Sequence, residues 1–192
     1  MIAIIQYNAG NITSVANAVK RLGYPCRVTD RIEEIRQAEK VIFPGVGEAG
    51  SAMVYLRERK LDKVIPSLVQ PVLGICLGLQ LMCASSEESN TECFGIFNTT
   101  VKRFPATGIV PHMGWNNLSV KGSPLFAGLV KEDTFYFVHS YYAGICDQTI
   151  ATCHYLVPFS AAMQKDHFFA TQFHPEKSGS VGEKLLQNFL KM

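Results

Sequence analysis

The run Val72-Leu73-Gly74-Ile75-Cys76-Leu77-Gly78-Leu79-Gln80-Leu81-Met82 carries no charge and changes its pattern half-way along. Residues 72–75 have the form of a short buried strand, and the residues after Cys76 have the form of a buried helix. A cysteine between two glycines at such a junction reads as a nucleophile elbow. The turn is so tight that side chains at the flanking positions would clash, so glycine is required there. It lifts Cys76 out of the sheet and leaves it at the mouth of the helix, where the peptide dipoles favour a thiolate.

Working outward toward the N-terminus, strand-like and helix-like patterns alternate. Residues 2–7 suit a buried strand, and Ile12, Val15, Ala16, Val19 and Leu22 then keep a helical stripe closed by Gly23. Residues 26–29 suit a second strand, with Asp30 placed to cap a short helix containing Ile32 and Ile35. A third strand at 41–43 ends in Pro44-Gly45-Val46-Gly47, and a helix over 49–60 leads back to the elbow strand. Such alternation implies right-handed crossovers and a parallel sheet covered on both faces.

Toward the C-terminus the character changes. Segments 99–104, 117–120, 134–138, 150–155, 159–164 and 168–173 read as strands joined by short loops, which predicts antiparallel additions to the main sheet. Ser178 or Ser180 is placed to cap a last helix with the stripe Val181, Leu185, Leu186, Phe189 and Leu190. The expected fold class is α/β: a doubly wound, mostly parallel sheet with helices on both faces and antiparallel additions in the C-terminal half. One domain over residues 1–192 is expected.

Composition narrows the function classes. Of 192 residues, 47% are hydrophobic and 18% charged, ordinary for a globular chain with a substantial core. A net charge of +2 with no basic block gives no reason to expect nucleic acid as a partner. The six cysteines, at 26, 76, 83, 93, 146 and 153, follow no CxxC or regular framework, and the opening residues lack the form of a signal peptide. A cytoplasmic location with reduced thiols is expected. Residues 64–84 are free of charge, but Pro66, Gln70, Pro71 and Gln80 interrupt them, which argues against a membrane span. No GxGxxG follows the first strand and no Walker A sequence is present, so no nucleotide cofactor is expected. His112, His139, His154 and His167 lack metal-ligand spacing, and no metal is expected.

The residues at the predicted strand ends are those of acyl transfer. Ligands of a doubly wound sheet gather beyond the carboxyl ends of its strands. There the N–H of Leu77, with that of Val46 or Gly47 from the glycine-rich loop, can form an oxyanion hole for a carbon attacked by Cys76. His174 follows the strand-like segment 168–173, and Glu176 lies two residues on, on the same side of extended chain. A glutamate so placed can accept a bond from the imidazole and stabilise the imidazolium.

Together these residues resemble the triad (class I) glutamine amidotransferases. Gly74, Cys76, Gly78 and Gln80 meet that family's G-x-C-x-G-x-Q, and His174, Pro175 and Glu176 meet its H-P-E, with Ser178 also in the usual place. The resemblance implies a glutaminase with a Cys76–His174–Glu176 triad. It further implies L-glutamine held by Gln80, Glu92 and the backbone of Ser140-Tyr141.

Finer features point to one branch of the family. Pro44-Gly45-Val46-Gly47, Pro111-His112-Met113-Gly114-Trp115-Asn116 and Tyr136-Phe137-Val138-His139-Ser140-Tyr141 look like sequences of a glutaminase that works as a heterodimer with a barrel-shaped cyclase. Asn11, Trp115, Tyr136 and Lys177 are expected near that interface, although composition alone serves Trp115 equally well as a core residue. The partner is expected to be needed for full turnover. Competing readings are the glutaminase of pyridoxal phosphate synthesis, disfavoured by the Pro-Gly-Val-Gly and His-Met-Gly-Trp-Asn sequences, and a catalytically silent binding module, disfavoured by the intact triad.

Overall fold

The alternation of the first half produces four parallel strands in the computed structural model, which describes residues 1–8 and 10–192. β1 (Ile2–Ile5), β2 (Cys26–Thr29), β3 (Lys40–Gly45) and β4 (Val72–Cys76) lie in the spatial order β2-β1-β3-β4. They are linked by α1 (Ile12–Arg21), α2 (Ile32–Gln37), α3 (Ala49–Glu58) and the short α4 (Leu61–Val64). Every residue of β1 and β4 is buried, as strands covered on both faces must be. Ala3 and Ile5 face a core built with α2, α3 and α4, while Ile2 and Ile4 face the opposite core against α1.

Two local expectations are corrected. β3 runs past Phe43, placing Pro44 opposite Ile75 and Gly45 opposite Cys76, so only Val46 and Gly47 are left as loop. Near a strand end, the ladder tolerates the loss of the N–H that proline lacks. At the start of α2, Thr29 Oγ1 accepts the Arg31 N–H at 3.1 Å, and Asp30 turns outward to Arg59 at 3.1 Å instead of capping the helix.

After the elbow helix α5 (Leu77–Met82), the strands divide among three sheets. β5 (Cys83–Ser86), β6 (Thr91–Glu92) and β7 (Phe97–Arg103) join β11 (Tyr141–Ala143) in a four-stranded sheet ordered β11-β7-β5-β6. β8 (His112–Asn117) and β10 (Thr134–His139) form an antiparallel ribbon. β9 (Ser119–Val120), β12 (Thr149–His154), β13 (Pro158–Lys165) and β14 (Phe168–Thr171) complete the main sheet as β2-β1-β3-β4-β14-β13-β12-β9. β14 is parallel to β4, and the three strands beyond it pair antiparallel.

The expected antiparallel additions are therefore present, but the segments at 99–104 and 134–138 lie outside the main sheet. β10 alternates between buried and more exposed residues, and β8 beyond the buried His112 alternates between exposed and half-buried ones, which suits a ribbon with one open face and not a strand covered on both sides. The final helix α6 (Gly179–Lys191) buries Leu185, Leu186, Phe189 and Leu190 against the α1 side of the sheet. The charge-free stretch 64–84 resolves into the end of α4, a 3-10 turn at Ile65–Ser67, β4, α5 and the start of β5. Among the described residues, no helix is long and apolar enough to cross a membrane.

Gly78 is where the layers touch most closely. A Cβ there would stand 1.9 Å from the Phe43 carbonyl oxygen, and one at Gly74 would stand 2.9 Å from Met82 Sδ. A methyl group at residue 78 would push α5 away from β3. We expect Gly78→Ala to cost about 3 kcal/mol, read as a lower urea midpoint; an unchanged midpoint would mean that the two elements have room to separate.

Candidate active site

Cys76 adopts φ 55° and ψ −105°, a conformation that a side chain occupies only when its surroundings enforce it. The enforcement is the contact of Gly78 with β3, together with the crowding of Gly74 against Met82 and the Gly78 backbone. Cys76 lies at the floor of a cleft of about 250 Å³, which also takes in Val46, Gly47, Leu77, Gln80, Glu88, Ser140 and Tyr141. Burial pushes the Cys26 and Cys83 thiols up and brings Cys93 and Cys153 to about 12.

His174 Nδ1 donates to Glu176 Oε1 at 2.8 Å, and both side chains are fully shielded from solvent. The pairing does not come from extended alternation. β14 stops at Thr171, and Pro175–Lys177 is a single 3-10 turn that folds the carboxylate back under the ring. The Asn11 amide donates to the same Glu176 oxygen. Burial by itself would lower the imidazole pKa. The nearby Cys76 sulfur and the Glu176 carboxylate, which accepts the Nδ1 hydrogen bond, outweigh it and raise the pKa to about 10. The surroundings of His174 thus favour the protonated ring.

The backbone around His174 is tied to the ribbon. Its N–H donates to the Tyr136 carbonyl at 2.9 Å; Ser178 Oγ donates to the His174 carbonyl at 2.7 Å and accepts the Tyr136 N–H at 3.0 Å. Ser178 precedes α6 as expected, but its hydroxyl is committed to this bridge and makes no capping bond. On the opposite wall, the Gly10 N–H donates to the Val46 carbonyl at 3.1 Å. Because a trans peptide directs its N–H opposite to its C=O, the Gly47 N–H is turned away from Gly10.

Several sequence-predicted residues stand elsewhere than expected. Glu92 is corrected: its side chain is 89% exposed, approaches Arg57 at 3.9 Å and does not line the Cys76 cleft. Glu88 lines it instead, with its carboxylate accepting the Ala49 N–H at 2.8 Å. The intervening 3-10 turn Glu88–Asn90 reverses the chain and carries Glu92 outward, a reversal that residue spacing does not reveal. Gln80 is in the cleft, but its Nε2 is occupied by the Tyr141 carbonyl at 2.9 Å and Gln172 Oε1 at 3.1 Å, so only its own carbonyl remains for a ligand. Asn11 turns its amide inward to the Glu176 carboxylate.

Trp115, Tyr136 and Lys177 do form one surface. Trp115 is 57% exposed, which rules out a core role, its ring lies 5.9 Å from Tyr136 across the ribbon, and Lys177 Nζ is 6.0 Å above the Tyr136 ring. Sequence reading overlooked Gln172 and the pairing of His112 with His139. A glutamine inside the apolar segment 168–173 was the available signal for the first. The second needed the strand register that sets the two histidines opposite each other.

The family model for class-I glutamine amidotransferases matches residues 3–192. "Imidazole glycerol phosphate synthase subunit HisH" of Bacteroides fragilis is 54% identical, covering 100% of this chain and 99% of its own length. The protein of the same description from Haemophilus influenzae is 46% identical, covering 99% and 96%. Among solved structures, a putative GMP synthase subunit from Thermoplasma acidophilum superimposes with a TM-score of 0.76 at 21% identity, covering 100% of this chain and 92% of the other.

The histidine pair gives the fold a pH dependence. His112 Nδ1 and His139 Nε2 are 3.0 Å apart, and burial brings the rings down to about 4 and about 3. From about pH 6.5 down to those values the unfolded chain takes up protons that the folded chain refuses, so stability falls as pH falls. Urea midpoints measured between pH 7 and pH 5 are expected to decline, and His139→Gln is expected to flatten the decline. A slope unaltered in that variant would count against the pair as its source.

Proposed function

This chain belongs to the class-I glutamine amidotransferase family, and we propose that it is the glutaminase subunit of an imidazole glycerol phosphate synthase. It hydrolyses L-glutamine to glutamate and passes the ammonia to a cyclase partner, as a cytoplasmic heterodimer in histidine biosynthesis. The observation that carries the reading is the buried His174–Glu176 pair beside Cys76 at one strand end of the sheet. Relatedness to synthase subunits over the full chain selects the branch.

Cys76 attacks the side-chain amide carbon of glutamine, and the carbonyl oxygen takes up the displaced electron pair. The backbone N–H groups of Leu77 and Gly47 are assigned to that oxyanion; Val46 supplies the carbonyl anchored on Gly10. His174 gives its Nε2 proton to the departing ammonia, leaving a thioester on Cys76. It then takes a proton from water as the water attacks the thioester and releases glutamate. Glu176 holds the ring in the tautomer with Nδ1–H and offsets its positive charge. Glu88 is assigned to the substrate's α-ammonium and the Ser140-Tyr141 backbone to its α-carboxylate.

Ammonia released here needs an acceptor. The exposed Trp115 and Lys177 and the half-buried Tyr136 form the surface assigned to the cyclase, with aromatic and cationic groups that interfaces favour. Asn11, assigned to the same interface, donates to the triad carboxylate.

The test is glutamate release with and without a purified cyclase and its ligand. Turnover is expected only in the complex; full turnover by the chain alone, or indifference to the cyclase, would refute the assignment. In the complex, Cys76→Ala is expected to abolish turnover and Glu176→Gln to lower kcat by about 10²-fold or more. Trp115→Ala is expected to weaken cyclase binding by about 2 kcal/mol, measured by calorimetry.

A further inference from the structure

Gln172 is fully buried, and its side chain spans the gap between Cys76 and Gln80. One end of its amide is 3.6 Å from Cys76 Sγ, and the other is 3.1 Å from Gln80 Nε2. Which end faces the sulfur follows from the groups beyond. The Tyr141 carbonyl can only accept, so the Gln80 amide that reaches it at 2.9 Å presents its nitrogen. That nitrogen's second N–H points at Gln172 and requires an acceptor there, which is Oε1. Gln172 Nε2 is then the atom left facing Cys76.

The same carbonyl is fixed from its other side. His139 Nδ1 lies 2.8 Å from the Tyr141 oxygen and must donate to it, so its Nε2 accepts from His112 Nδ1 at 3.0 Å. Two neutral rings thus anchor a continuous chain of hydrogen bonds that ends in an N–H aimed at the sulfur.

We propose that Gln172 is a further catalytic residue: its Nε2–H donates to Cys76 Sγ, stabilises the charge the sulfur carries as it attacks, and fixes the direction of attack. Gln80 acts one step back, as the positioning residue that sets the polarity of the Gln172 amide. α5 has only six residues, so its dipole offers the sulfur little, whereas the Gln172 donor touches it directly. A donor to a charged acceptor is worth more than one between neutral groups, and an oxygen in its place would repel the thiolate.

The proposal rests on Cys76 being the nucleophile, and the experiment separates the two. Iodoacetamide alkylation of Cys76 is followed at neutral pH by mass spectrometry, which resolves it from the other five cysteines, for the full chain and for Gln172→Met and Gln172→Glu. Glutamine turnover is measured for each in the cyclase complex. Gln172→Met is expected to slow alkylation and lower kcat by about 10- to 100-fold, with KM for glutamine little changed. Gln172→Glu keeps the shape and is expected to lose more, and Gln80→Met, which frees the amide to rotate, is expected to fall between wild type and Gln172→Met.

Wild-type alkylation in either folded variant would overturn the proposal, as would a rise in KM with kcat intact. Gln172→Glu decides the matter if the methionine variant does not fold. Slowed alkylation, in a wild-type complex that releases no glutamate, would sustain the Gln172 contact and remove the glutaminase reading instead.

Discussion

A missing methyl group holds the active centre together. With hydrogen alone on its α-carbon, residue 78 lets α5 close onto the Phe43 carbonyl, where any Cβ would stand 1.9 Å from the oxygen. That approach turns the chain sharply at the end of β4 and keeps Cys76 at a positive φ. It also sets the α5 N-terminus beside Val46 and Gly47, because Gly45 is paired with Cys76 in the ladder. The strain at Cys76, roughly 1–3 kcal/mol, persists because the layers on both sides of the sheet leave the elbow no other path.

Charge in a dry site needs partners, and here they are few. His174, Glu176 and Cys76 are nearly or wholly buried, so the His174–Glu176 pair is stabilised mainly by its own contact and by the Asn11 amide. Among the described residues, Glu176 Oε2 and His174 Nε2 have no hydrogen-bond partner of good geometry. An unsatisfied ring nitrogen next to a sulfur is poised to exchange a proton, which a fully bonded core histidine is not. The neighbouring His139 shows the contrast: both its nitrogens are bonded, and burial keeps it neutral.

The ribbon connects this site to the surface. Tyr136 presents its ring to Trp115 and Lys177 outside, while its backbone bonds His174 and Ser178 inside. One residue therefore touches both the proposed cyclase surface and the segment holding the triad base. A partner pressing on the ribbon bears on the His174 turn through the two hydrogen bonds of the Tyr136 backbone, one to the His174 N–H and one to the Ser178 hydroxyl. This gives the proposed partner dependence a physical route, since the ribbon and the His174 turn are bonded to each other.

The parallel half of the sheet, the elbow at Cys76, the His174–Glu176 pair and the class of chemistry were all legible in the order of residues alone. These are local properties: burial pattern, glycine where no Cβ fits, and an acid two residues from an imidazole. Residue order was less informative where side chains meet through register or a chain reversal. Thr29 displaced Asp30 at the α2 start, Glu88 replaced Glu92 in the cleft, and the 97–103 and 134–139 strands left the main sheet. Folding in three dimensions was needed to place Gln172 against the sulfur and His112 against His139. Residues 96 and 27 positions apart are brought together there by strand pairing and layer packing, which leave no periodic trace in the chain.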